Sequence, residues 1–144
     1  MNTNFQKKSI SAEAARQMLI EAEQKAVQLG IRISCYIVDE SGVLKAFSRM
    51  DNAALVTIDA ARKKAVTAVG YGMPSGEAWY DHIKDDPILF HGVQQFQDFI
   101  LLGGGLPVII DGVLAGAIGI SGGHYKQDEQ CAMAALAVLD KLNS

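Results

Sequence analysis

Apolar residues return every three or four positions from Ala15 through Met18, Leu19, Ala22 and Ala26 to Leu29, the spacing of one helix face. Ser11 precedes this stretch as an N-cap, Glu13 lies in the first turn where the helix dipole favours an acid, and Gly30 follows as a C-terminal stop. The pattern predicts a helix over 12–29. The chain then changes to a β-branched and aromatic run, 31–39, a turn at Glu40-Ser41-Gly42 and a return over 43–49, which together read as a hairpin. Alanines at 60, 61, 65 and 68 give a second helix, 55–69, a face that can approach another element closely. Lys63 and Lys64 are expected on or near its solvent side, and Gly70, Gly72 and Pro74 end it.

A short helix is expected over 77–83, broken by Asp85-Asp86-Pro87. Residues 86–95 read as irregular, a candidate lid or oligomer contact. Residues 99–102 are a candidate strand, interrupted by Gly103-Gly104-Gly105. Two apolar runs, 107–110 and 113–120, flank Asp111-Gly112 and predict a tight hairpin. After the loop Ser121-Gly122-Gly123-His124, residues 132, 135, 136 and 139 mark a last amphipathic helix over 128–142. Strands joined by hairpins imply an antiparallel sheet, and helices before, between and after them can cover it. The expected class is α+β, with one unit over 1–144.

Composition narrows the functional classes. Thirteen basic and sixteen acidic residues give a net charge of −3, which leaves no electrostatic footprint for nucleic acid. No apolar run reaches the length of a membrane span, and no basic amphipathic helix suits a membrane surface. The polar N-terminal stretch lacks a secretory pattern, so a cytoplasmic location is expected. Cys35 and Cys131 fall within apolar patterns and outside metal-ligand spacings, which predicts buried free thiols. Many of the fourteen glycines concentrate at 70–76, 103–105 and 116–123, where backbone must turn sharply or approach something closely.

Several short motifs follow one another in order. They are Val38-Asp39 with Gly42, Arg49-Met50-Asp51-Asn52-Ala53, Ala61-Arg62-Lys63-Lys64-Ala65 and Gly103-Gly104-Gly105-Leu106-Pro107-Val108, then Gly119-Ile120-Ser121-Gly122-Gly123 and Asp128-Glu129-Gln130. In this order they resemble the GlcG/HbpS family, which includes the C-terminal domain of PduO-type corrinoid adenosyltransferases. The resemblance implies a profilin-like fold, a five-stranded antiparallel sheet with helices on both faces, and assembly into homo-oligomers. It implies haem or cobalamin as cofactor. The histidine that the haem-binding corrinoid domain carries near its N-terminal helix has no counterpart in residues 12–29, and Leu106 stands where secreted haem-binding relatives have a threonine.

Several residues suit both a chemical and a structural role. Arg49 can take a carboxylate or phosphate bidentately and Asp51 can orient it or accept a proton; both can equally pin the chain as it leaves the sheet. Gly103, Gly104 and Gly105 offer free amides to an anion or form a sheet corner. Gly122, Gly123 and His124 precede a helix N-terminus, a position that attracts anions. His124 is a candidate proton carrier or metal ligand, and Glu129 a candidate acid or base that can also serve the helix dipole. His82 and His91 are further candidate iron ligands or interface residues, set among Trp79, Tyr80, Phe90 and Phe96.

Three readings result. The first is a small accessory protein that binds a small-molecule ligand, a tetrapyrrole such as haem or a corrinoid. The second is a small enzyme, an isomerase, hydratase or hydrolase, acting on an organic acid. In it Arg49 holds the carboxylate while Asp51, His124 or Glu129 moves protons. The third is a structural partner in an operon-encoded complex.

Overall fold

The computed structural model describes residues 1–142. Helix α1 (Ala12–Leu29) is capped as its sequence predicts: Ser11 accepts a hydrogen bond from Ala14 N, and Gly30 takes the left-handed conformation at φ 72°. Strands β1 (Ser34–Asp39) and β2 (Leu44–Arg49) form the first hairpin. Helix α2 (Val56–Tyr71) follows and ends at Gly72, also left-handed. Helices α3 (Glu77–Ile83) and α4 (Pro87–Val93) come next. Strands β3 (Gly105–Ile110) and β4 (Val113–Ser121) form the second hairpin, and α5 (Tyr125–Leu142) closes the described chain.

The sheet has four strands in the order β2-β1-β4-β3, with every neighbouring pair antiparallel. This corrects the expected five-stranded, profilin-like sheet. Residues 99–102 do not pair as a strand because α2 and its following turn take their backbone groups. Ile100 N donates to Thr67 Oγ1 at 2.9 Å, and Leu102 O accepts from Ser75 Oγ at 2.6 Å. A segment whose buried polar groups are met by side chains has no need of a ladder.

Residues 86–95 are also more regular than expected. Asp86 Oδ1 accepts from Ile88 N and Leu89 N, and Pro87 sits at the first helical position, which together start α4.

Strand alternation sends side chains to two different layers. Cys35, Ile37, Ile118 and Ile120 face α1 and α5, with Met18, Cys131 and Leu139 in the same core. Tyr36, Val38 and Ala117 face α2 and meet Ala65, Ala68 and Val69. A satellite cluster of Trp79, Ile83, Val93, Tyr71 and Phe99 holds α3, α4 and the segment before β3 against the end of α2.

On the α2 side the helix backbone rests directly on glycine. Gly105 and Gly119 are cross-strand partners, and a Cβ on either would overlap the Lys64 or Ala61 carbonyl. Among the described residues no helix is long and apolar enough to cross a membrane.

Candidate functional site

Register brings the glycine motifs and the Arg49 motif to one end of the sheet. Ser34 is paired with Arg49 on one side and with Ser121 on the other, while Ile120 N donates to Gly104 O at 2.9 Å. Arg49, Ser121 and Gly103–Gly104 therefore lie side by side at successive strand ends. Three strand spacings separate the first from the last, roughly 14 Å at about 4.8 Å each. The end divides accordingly into two depressions that share no residue.

Between them lies a buried ion pair. Lys64 and Asp128 are each about 2% exposed at the side chain, with Nζ 2.9 Å from Asp128 Oδ2 and 2.9 Å from Ile120 O. Asp128 Oδ1 accepts from Gly123 N at 2.8 Å. The pair thus ties α2, the end of β4, the glycine loop and the first turn of α5 into one unit. Burial pushes the Lys64 ammonium below its usual range and the Asp128 carboxyl above its own, and the opposite charge offsets part of each shift. Lys64 is not on the solvent side of α2, as its polarity had suggested. A Cβ at Gly104 would come within 3.1 Å of Lys64 Nζ, and φ of Gly104 is 122°, so this glycine serves close packing over the pair.

The first depression has a volume of about 230 Å³ and a mainly apolar lining: Tyr80 on α3, Leu101, Leu102 and Gly103 before β3, and Tyr125 on α5, completed by Gly76 and Glu77. Its floor is bare because Gly76 and Gly103 touch. A Cβ at Gly76 would lie 2.7 Å from Gly103 Cα, and one at Gly103 would lie 3.1 Å from both Glu129 Oε2 and Tyr125 Cδ2. Of the three glycines in the run, Gly103 alone lines this depression. Glu129 borders an adjoining hollow with Glu77 and Tyr125. The helix begins at Tyr125 rather than 128, so Glu129 stands in the second turn and Asp128 is the first-turn acid.

His124 caps α5. Its Nδ1 accepts from Lys126 N at 3.1 Å, and Gln127 Oε1 accepts from His124 N at 3.0 Å, a reciprocal cap. Gly122 and Gly123 pack on the Arg32 carbonyl and on Ile31, so the loop is held against the start of β1. His82 and His91 are exposed on α3 and α4, and neither lines the depression. Among the described residues no three His, Cys, Asp or Glu side chains are grouped to hold a metal.

The second depression, about 560 Å³, is lined by Glu23, Arg32, Arg49, Met50, Asp51 and Asn52. Arg49 and Asp51 therefore share one depression and sit apart from His124 and Glu129, so within this chain only Asp51, of the three proton carriers in the organic-acid enzyme reading, lies beside Arg49. Sequence reasoning missed Lys64, Asp128 and Tyr125 as parts of this end of the molecule.

A four-stranded antiparallel sheet between α1/α5 and α2, with a glycine-floored apolar hollow at one end, defines a small α+β domain. The chain belongs to the HbpS-like family: the family model described as "Haem degrading protein HbpS-like" matches residues 10–137. It is 33% identical over 144 residues to an uncharacterized 15.0 kDa protein from the dhaT-dhaS intergenic region of Citrobacter freundii, covering 99% of this chain and 100% of that one. It is 32% identical over 133 residues to the corrinoid adenosyltransferase PduO of Salmonella typhimurium, and the match spans 92% of this chain but 39% of PduO. Among solved structures, the Klebsiella pneumoniae protein ORFY superposes with TM-score 0.90 at 30% identity over 97% of both chains. The PduOC–heme complex superposes with TM-score 0.83 at 32% identity, covering 90% of this chain and 94% of the other.

Proposed function

We propose that the protein is a small accessory protein that binds a tetrapyrrole, haem or a corrinoid, in the apolar depression beside Gly103. The observation that carries this reading is the depression itself. A bare glycine floor and the side chains of Leu101 and Leu102 offer a flat, apolar wall, at the sheet end where Gly103 precedes β3. The likeness to PduO and to the PduOC–heme complex supports the choice of ligand.

The lining fits the face of a macrocycle in kind. Its volume of about 230 Å³ lies below the roughly 300–1,000 Å³ of sites that enclose a ligand, so one chain grips an edge of the ring. Leu101, Leu102 and Gly103 would pack against that edge, and the phenols of Tyr80 and Tyr125 are the oxygen donors beside it. A bound metal centre would supply ligand-exchange or redox chemistry, while these residues hold the ring and exclude water. In this reading the protein acts in the cytoplasm as a homo-oligomer, with a second copy covering the rest of the ring.

The test is a visible-absorbance titration of the purified protein with haemin and then with cobalamin. A saturable Soret or corrin-band shift at fixed stoichiometry is expected, and Leu102→Glu should abolish it. A shift with neither ligand beyond that of an unrelated control protein would sink the proposal.

A further inference from the structure

The second depression carries an inference independent of the tetrapyrrole. Its arginines differ from the one on the surface of α2. Arg62 is bound by two carboxylates, Asp59 and Asp98. Arg32 and Arg49 have no ion pair among the described residues, although Glu23 and Asp51 line the same hollow.

Arg49 is nevertheless held in place. Its Nη1 donates to the Ala53 carbonyl at 3.0 Å, and Ala53 is only 4% exposed. The intervening turn is closed by Ala53 N on Met50 O at 3.1 Å, with Asn52 in the left-handed region at φ 67°. One edge of the guanidinium is thus anchored and the rest is free. A pre-positioned fork of this kind suits a planar oxyanion and loses little freedom on binding it. Arg32 reaches the same hollow from the start of the β1 ladder, where Met50 N on Ile33 O at 2.9 Å continues the pairing past Ser34–Arg49.

Two free cations and two carboxylates in one recess of about 560 Å³ describe a ligand of mixed character. A multiply charged phosphate would be repelled by Glu23 and Asp51. A carboxylate on the arginines, with a neighbouring hydroxyl or ammonium donating to Glu23 or Asp51, satisfies every group. We infer that Arg32, Arg49, Glu23 and Asp51 form a binding site for a small amino or hydroxy acid, separate from the apolar depression.

The experiment is a titration of ¹⁵N-labelled full-length protein with L-serine, acetate and inorganic phosphate, followed by amide shifts. Serine is expected to give saturable shifts confined to residues 49–53 and 32–33, and to bind about tenfold more tightly than acetate, the worth of one hydrogen bond to a charged group. Arg32→Gln removes a side chain with no ion pair among the described residues and should weaken serine about tenfold, as should Arg49→Gln. Glu23→Gln should bring serine closer to acetate. Acetate binding as tightly as serine, or phosphate more tightly than both, would reduce the recess to a plain anion patch and overturn the assignment. So would the absence of a saturable shift with any probe at millimolar concentration. Failure here leaves the haemin titration untouched, because that experiment reads a different depression through a different signal.

Discussion

The two faces of the sheet are packed by different rules, and neighbouring residues of β4 show it. Ile118 points toward α1 and α5, into a layer of Ile, Met, Leu and Cys side chains that interdigitate. Gly119 points toward α2 and has no side chain because the Ala61 carbonyl occupies the space. One layer is filled by side-chain volume. The other is set by backbone contact on glycine and a buried ion pair. The first face can yield a little when a methyl is lost, whereas the second has nothing flexible to move.

The largest test of this difference is Asp128→Ala. It leaves the Lys64 ammonium buried and unpaired and frees Gly123 N, and should cost about 3–5 kcal/mol in urea unfolding. Replacing both partners, Lys64→Met with Asp128→Leu, should recover most of that loss. A single-variant cost under about 1 kcal/mol would show the pair to be open to water and would remove the contrast between faces. Next comes Gly119→Ala, which adds one methyl against a helix carbonyl and should cost about 3 kcal/mol, at the upper end for overpacking. Its counterpart, Ile118→Val, removes one methyl from the other face and should cost about 1 kcal/mol. Equal losses in the two variants would mean that α2 shifts freely over the sheet.

Much of this architecture was legible in the chain. The caps at Ser11 and Gly30, the Asp111-Gly112 turn with φ 51° and 76°, and α3 each match a local signal. Buried Cys35 and Cys131 also follow from their apolar patterns, and burial pushes the Cys131 thiol up to about 11. The fifth strand failed because Phe99–Leu102 has a strand-like pattern but spends its hydrogen bonds on Thr67 and Ser75, which lie 33 and 27 residues away. The start of α4 carries a local signal of its own, since Asp86-Pro87 is an N-cap followed by a favoured first residue, although residues 86–95 read as irregular.

At the site, polarity concealed periodicity. Lys64 lies three residues after Ala61 and four before Ala68, and Asp128 lies four before Ala132 and seven before Ala135, so both fall on buried stripes. Reading those stripes without regard to charge finds the pair. Nothing local could place Arg32 beside Arg49, because only the β1–β2 register does that.

The smallest expected effect lies two residues from Lys64, on the outer side of the same helix. Arg62 bridges Asp59 and Asp98 at 3.0 and 2.9 Å, but both carboxylates are more than half exposed. The hydrogen bond from Arg62, helped by Lys63, holds the Asp59 carboxyl below its ordinary range. A carboxyl lowered in the folded state contributes stability that is complete above its unfolded value, about 3.9, and is lost as pH falls through the lowered folded value. Arg62→Gln should therefore cost less than about 1 kcal/mol at pH 7, and the difference from the parent should close below pH 4. It should also shrink in 1 M salt, where the screening length is about 3 Å, while the cost of Asp128→Ala persists. If salt erased both costs alike, the buried pair would be a surface pair in practice. If it spared only the buried one, the two cations of one helix, two positions apart, would mark the boundary between packing that determines the site and charge that merely decorates it.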